Sequence, residues 1–285
     1  MNKAKLTFLG TGTSQGIPMI GCSCPVCSSS DPRDKRLRSS ALIEYCGLNI
    51  LVDCGPDFRQ QMLRAGVNHL DCVLLTHNHK DHTGGLDDLR SFNLLESRPI
   101  NIYCEPYVLE SMKKEYSYAF AEPRYPGSPE WRVHTIDDKP FYVHSNAGED
   151  KLVWESGFGY HIIPQNLPEP EQVEIIPVHG YHQKNKAQSV MGYRFGNIAY
   201  LTDMNYLDDS EFEKLRNLDY ITINCVKRTG HFSHFSLPEA LSFFERVGAR
   251  ESYITHISHM LPLHADFEKE LPEHVHAAYD GLILK

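Results

Sequence analysis

Four metal-capable side chains crowd six residues of this chain: His77, His79, Asp81 and His82 in LLTHNHKDHTGG, after an apolar run and before a pair of glycines. The apolar run reads as a strand, so the donors fall on the turn at its end. Imidazole and carboxylate suit zinc, manganese or iron, and their alternation on an irregular turn lets neighbouring residues aim at two different ions. A lone surface histidine would be read as solvated. Four donors on one turn need a common partner, and a two-metal site, or the half of one that a single loop can supply, meets that need.

The rest of the chain must then supply a fold that brings other ligands to this turn. At 285 residues it can bury one large core. Lys and Arg number 28 against 37 Asp and Glu, a net charge of −9, so no basic surface advertises a long nucleic acid. The N-terminal MNKAKLTFLGTG is too short in apolar residues for a secretory signal, and no 18-residue apolar run follows it, so neither export nor a membrane span is expected. A reducing cytoplasm is the expected setting. Cys46, Cys54, Cys72, Cys104 and Cys225 lie in strand-like apolar surroundings and read as buried free thiols.

Short apolar runs alternate with helical periodicity along the chain. KLTFLG, SALIEY, LNILVD, CVLLT and INIYC read as strands, and DFRQQMLRA, GLDDLRSFNLLE and PYVLESMKKEY as helices. The second half has comparable content: VEIIPVH, VMGYRFG, NIAYLTD, LDYITINC and ESYITHIS as strands, SEFEKLRNL and SLPEALSFFERVG as helices. Ser236 with Glu239 three residues on is the pattern of a capping box. Two halves of this kind suit two sheets packed face to face with helices outside, an α/β architecture in a single domain spanning 1–285. Residues from about 121 to 172 break the rhythm with Pro, Gly, aromatics and acids. They read as a loop-rich insertion or lid, or as a surface excursion with a hairpin.

Further ligands must come from the ends of other strands, because loops beyond strand ends converge on one rim. His179 ends VEIIPVH, Asp203 ends NIAYLTD and His256 ends ESYITH. Asp203 is the carboxylate placed to bridge two ions, since each of its oxygens can take one. Asp53 in LVDCG reads either as a residue orienting the metal loop from behind or as a turn former at a strand end. Cys22, Cys24 and Cys27 form CxCxxC in a turn-rich segment. Three thiolates at this spacing can face one zinc, whose tetrahedral shell needs a fourth ligand from elsewhere; the plainer reading is three reduced thiols.

Together these residues resemble the metallo-β-lactamase superfamily, and within it the PhnP-type phosphodiesterases of the carbon-phosphorus lyase pathway. The resemblance runs through TGTSQGIPMIGCSCPVC, LVDCGPD, the HxHxDH loop, IPVHG, IAYLTD, HFSHFSLPEAL, THISH and the closing YDGLIL. It implies a four-layer αβ/βα sandwich. It implies one divalent ion held by His77, His79 and His179, a second by Asp81, His82 and His256, and Asp203 between them, with Mn²⁺ or Zn²⁺ as the metal. It also implies a structural Zn²⁺ on Cys22, Cys24, Cys27 and His259. The chain departs from the family after His179, where GYHQKNKAQSVMGY is longer than the family's link and introduces His182 as a rival ligand.

Two ions a few ångströms apart turn a shared water into hydroxide near neutral pH and neutralise phosphoryl oxygens, so a phosphodiester is the natural target. The departing oxygen then needs a proton, and His234 resembles the family's residue for that task, with His231 as a competitor of similar setting. The expected activity is hydrolysis of a small phosphodiester, including cyclic ribose phosphates. No long nucleic acid and no membrane partner are expected, and a homodimer is compatible with the sequence. Other superfamily chemistries remain open: a tRNA 3′-processing nuclease, a thioester hydrolase, or a non-catalytic cofactor-biosynthesis protein that keeps only the cysteine zinc.

Overall fold

The computed structural model describes residues 3–123, 127–146, 151–155, 159–163 and 172–285. The first half runs β1 (Lys5–Gly10), β2 (Ser40–Tyr45), β3 (Leu48–Val52), α1 (Phe58–Ala65), β4 (Cys72–Leu74), α2 (Lys80–Thr83), α3 (Arg90–Glu96), β5 (Ile100–Cys104), α4 (Pro106–Glu115), α5 (Ser117–Phe120) and β6 (Trp131–Thr135). It continues through β7 (Phe141–His144), β8 (Lys151–Glu155), β9 (Gly159–Ile163), β10 (Gln172–Tyr181), β11 (Ser189–Phe195), β12 (Ile198–Tyr200), β13 (Tyr206–Leu207) and β14 (Tyr220–Asn224). The chain closes with α6 (Leu237–Val247), β15 (Glu251–Thr255), α7 (His264–Glu270), β16 (Val275–Ala277) and β17 (Ile283–Leu284).

Two sheets carry the architecture. The first has strand order β17-β1-β2-β3-β4-β5-β6, the second β13-β10-β11-β12-β14-β15-β16 with β7 pairing β10. Their facing sides share one apolar core, in which Phe8, Ile43, Ile50 and Leu74 of the first meet Ile175, Met191, Tyr193 and Tyr200 of the second. Burying side chains of this size contributes about 1.5–3 kcal/mol each, which drives the two sheets together. The outer face of the first sheet packs on α1, α3 and α4 through Phe58, Met62, Phe92, Val108 and Met112. The outer face of the second packs on α6 and α7 through Ala240, Phe243, Phe244 and Phe267. The result is the expected αβ/βα sandwich.

Local chemistry explains the element ends. The Ser236–Glu239 capping box forms, with Glu239 Oε2 accepting from the Ser236 backbone N–H at 2.9 Å and from its hydroxyl at 2.6 Å. SEFEKLRNL winds as a 3-10 helix, Asp209–Leu215, in place of an α-helix. Among the described residues, the irregular stretch from 121 to 172 holds β6, β7, β8, β9 and the first residue of β10. Of these, β6 extends the first sheet, β7 pairs with β10 of the second, and β8 and β9 form a separate two-stranded antiparallel sheet. The reading of this stretch as a lid falls partly on 124–126, 147–150, 156–158 and 164–171, which lie outside the described residues.

Candidate metal centre

The loops beyond the strand ends meet at one rim between the two sheets, where three acid- and histidine-bearing turns converge. The HxHxDH turn follows β4, Asp203 follows β12 and His256 follows β15. Asp53, Asp203 and His256 all take left-handed backbone, with φ of 62°, 59° and 52°. A residue with a Cβ held there stores of order 1–3 kcal/mol, which persists only where the surroundings over-determine the conformation. Close backbone packing supplies part of that: a Cβ on Gly55 would stand 2.0 Å from the Asp81 carbonyl oxygen, so only glycine lets this turn press against the metal loop.

Three groups of donor atoms form at the rim. His77, His79 and His182 make one; Asp81, His82, Asp203 and His256 a second; His182, Asp203 and His234 a third that overlaps both. Within each, the donor atoms lie within 4.8 Å of one another. The imidazoles of His77 and His79 are 4.5 Å apart between ring centres, those of His77 and His82 4.3 Å, and those of His79 and His182 4.9 Å. Asp203 Oδ2 lies 3.2 Å from His82 Nε2 and 3.1 Å from His256 Nδ1, and Asp203 Oδ1 lies 3.8 Å from His234 Nδ1. Its carboxylate stands between the groups.

His179, expected as a ligand, is not brought into these groups, and His182 stands with His77 and His79 instead. β10 does not stop at His179 but runs two residues further, to Tyr181. His179 is therefore mid-strand, its Nε2 2.7 Å from Ser189 Oγ, while Ser189 donates to Glu105 at 2.6 Å. His182 is the residue beyond the true strand end. Its Nδ1 donates to the Ser233 carbonyl at 2.8 Å, which leaves Nε2 for the cluster.

His82, His256 and His77 also have ring nitrogens held by neighbouring groups. His82 Nδ1 is 2.6 Å from Asp53 Oδ2, and His256 Nδ1 is 3.1 Å from Ser39 Oγ. Thr76 Oγ1 donates to Asp53 and lies 2.9 Å from His77 Nδ1, so the His77 ring donates to Thr76 and frees its own Nε2. The Asp53 carboxylate thus stands behind two histidines at once, directly for His82 and through Thr76 for His77. It also accepts the Thr76 backbone N–H at 2.9 Å, so it both orients the metal loop and fixes its turn.

This donor set fits divalent cations. His77 Nε2 and His82 Nε2 are buried and have no hydrogen-bond partner, although His82 Nε2 lies 3.2 Å from a carboxylate oxygen of both Asp81 and Asp203. Buried polar atoms of this kind cost free energy unless something satisfies them. Burial holds His77 well below its ordinary pKa and lowers His79 and His256 as well, so these rings are neutral, the form that binds metal. Burial opposes charge on His82 too, yet Asp203, Asp81 and Asp53 outweigh it and raise that imidazole well above its usual range. Burial also works against ionised Asp81 and Asp203, but His82 and His256 hold both carboxyls well below theirs. Three carboxylates around one ring demand positive charge. His234 is pushed down to about 2, by burial first, against the pull of Asp203.

A second centre forms away from the rim. His259 Nδ1 lies 3.3, 3.5 and 3.7 Å from the sulfurs of Cys22, Cys24 and Cys27. A tetrahedral zinc with ordinary Zn–S and Zn–N bonds would set these separations at about 3.5 Å, so the four residues fit it. The Cys27 backbone N–H and His259 lower the Cys24 thiol to about 6, making it the readiest thiolate, while burial lifts Cys27 to about 11. None of the eight cysteines is in a disulfide.

The arrangement can be set beside known proteins. A beta-lactamase superfamily domain matches residues 48–257. The octanoyltransferase of Porphyromonas gingivalis is 39% identical over 278 residues, 96% of this chain but 50% of that protein. The chain spans half or less of the curated relatives it matches first, the others being coenzyme PQQ synthesis proteins B from Methylobacterium and Methylorubrum. The crystal structure of a diphosphatase from the PhnP family superposes with a TM-score of 0.82 at 34% identity, covering 99% of this chain and 98% of the other. Zn(2+)-bound PqqB from Methylobacterium extorquens shares the fold, with a TM-score of 0.69 at 17% identity over 99% of both chains. The matched domain, the two-sheet sandwich and the rim of histidines and carboxylates agree, and the chain belongs to the metallo-β-lactamase superfamily, within which it resembles the PhnP family.

Proposed function

We propose that the protein is a metal-dependent hydrolase of small phosphodiesters. The observation that carries this reading is the position of Asp203, whose carboxylate stands between the His77, His79, His182 group and the Asp81, His82, His256 group. His77, His79 and His182 would hold one ion, Asp81, His82 and His256 the other, and Asp203 both. Such ions, Mn²⁺ or Zn²⁺, supply Lewis acidity toward a phosphoryl oxygen and lower the pKa of water.

The chain's own residues do the rest. Asp53, Thr76, Ser39 and the Ser233 carbonyl hold the imidazoles in fixed tautomers and orientations, so the site does not reorganise as charge develops. His234 stands on the far side of Asp203, with Nδ1 buried and without a hydrogen-bond partner. We assign it the proton for the departing oxygen, a role that requires the charge of the bound phosphodiester to raise its imidazole from the depressed value it has in the unliganded site. Cys22, Cys24, Cys27 and His259 tie the N-terminal loop to the turn that carries His256, three residues away, so a zinc there would brace the rim.

Similarity to the PhnP-family diphosphatase supports phosphoryl chemistry. The octanoyltransferase name attaches to a protein of which this chain matches half, and the donor groups that carry the present reading are imidazoles and carboxylates. A cytoplasmic setting accords with cysteines that form no disulfide, and no described helix is long and apolar enough to cross a membrane. The test is turnover by metal-loaded protein of a panel of monoesters, diesters, cyclic ribose phosphates, diphosphates, RNA and thioesters, with Asp203→Asn as control. Diester cleavage that Asp203→Asn abolishes is the expected result. Thioester or RNA cleavage without diester cleavage would overturn the reading.

A further inference from the structure

Past His234 the structure continues in a way that metal chemistry does not require. The His231 ring lies 5.2 Å from that of His234 with 22° between their planes, and the Phe232 ring lies 4.8 Å from His231 at 31°. The three rings make one stepped stack leading from Asp203 outward. Its last member is 75% exposed, a large apolar surface left in water. The turn is nonetheless fixed: Asn205 Nδ2 donates to the His234 carbonyl at 2.6 Å and to the His231 carbonyl at 3.3 Å, and Ser233 between them is buried. The Lys227 backbone bridges to that of Ser236, two residues past His234, which places this lysine on the segment beside the same turn. Among the described residues Lys227 has no ion-pair partner.

We propose that Phe232 and His231 form an aromatic ledge that stacks a nucleobase on the leaving-group side of the site, with Lys227 meeting a phosphate of the same group. This rests on the phosphodiesterase reading and deepens it: the substrate is a nucleotide-containing ester, not a bare sugar phosphate. The direction follows from His234, which marks where the departing group lies. An exposed aromatic face held rigid loses little entropy on stacking, and any base offers it a π-face.

The test uses the metal-loaded full chain. Binding of adenosine 5′-monophosphate and of ribose 5-phosphate is measured by calorimetry for wild type, Phe232→Ala, Phe232→Leu, Phe232→Trp and Lys227→Gln. In parallel, kcat and KM are measured for symmetrical diesters whose two arms are adenosine or ribose. Phe232→Ala should raise the dissociation constant of the adenosine nucleotide and the KM of the adenosine diester by roughly 5- to 50-fold, the lower part of the range for base stacking on an aromatic side chain. The ribose ligands and the metal content should not change. Trp should retain the preference and Leu should not, while Lys227→Gln should weaken both monophosphates alike. The ledge is overturned if wild type binds the two monophosphates equally, if Phe232→Ala affects both alike, or if Leu substitutes as well as Trp. Should wild type cleave neither diester, the phosphodiesterase reading fails on its own, and the monophosphate binding still decides the ledge.

Discussion

The Asp53 carboxylate and the His82 imidazole form a closed pair, 2.6 Å apart and both without solvent exposure. Burial lifts the Asp53 carboxyl above its usual pKa, opposed by the charge and hydrogen bond of His82. The pair orients His82 Nε2 toward Asp81 and Asp203. Because Thr76 Oγ1 links the same carboxylate to His77, two arms of the metal centre hang from one strand-end acid.

Asp53→Asn should therefore act as a loss of orientation rather than of a ligand. The amide cannot accept from both Thr76 and His82 as the carboxylate does, and removing such a partner costs about 10- to 100-fold in metal affinity. The loss should be larger for the ion on His82 than for the ion on His77. Thr76→Val should reverse that order, since it leaves the Asp53–His82 pair and removes the partner of His77. Competitive metal titration of both variants decides the matter, and equal weakening of both ions in both variants would reduce Asp53 and Thr76 to general packing.

The choice between His182 and His179 is equally direct. His182→Ala should lose the ion shared with His77 and His79, whereas His179→Ala should keep it, at the cost of a broken His179–Ser189–Glu105 chain and a modest drop in Tm. Metal content by elemental analysis distinguishes the two. Retention by His182→Ala with loss by His179→Ala would mean that β10 ends earlier in solution.

The two histidines of THISH should separate by stoichiometry. His256→Ala should lose one rim ion and activity but keep the cysteine-bound zinc, because His256 faces Asp203 and Ser39. His259→Ala should release or loosen that zinc and lower the melting temperature, because its Nδ1 is the ring atom facing all three sulfurs. If both variants lose the same single ion, the two centres are not distinct.

How far the sequence foretold this depends on how local each signal is. The HxHxDH turn, the capping box and the strand-end positions of Asp203 and His256 are set by neighbours within a few residues, and all lie where the pattern places them. His179 lies outside the donor groups because VEIIPVH ends in a polar residue while the ladder with β11 continues, pairing Gly180 with Val190 and Tyr181 with Ser189. Registers of this kind depend on a partner strand that the sequence does not announce. The roles of Ser39, Thr76 and the Ser233 carbonyl were also unreadable. They are contacts across 51 to 217 residues in two of the three cases, made by side chains or carbonyls that carry no metal signature of their own. Thr76 was the exception that spacing could have offered, standing directly before His77.

The last prediction concerns the proton for the departing oxygen. His234 Nδ1 lies 3.8 Å from Asp203 Oδ1, and its ring packs 4.6 Å from that of His182 and 4.9 Å from that of His256. If it supplies that proton, His234→Ala should slow an alkyl diester by roughly 10²–10⁴-fold and a nitrophenyl diester much less, since a good leaving group departs unprotonated. Metal content should stay the same. Loss of an ion would make it a ligand in the group with His182 and Asp203, and a drop in Tm with an unchanged ratio between the two esters would make it a packing residue. Equal slowing of both esters would remove it from the reaction and leave His231, the next ring in the stack, as the residue to test.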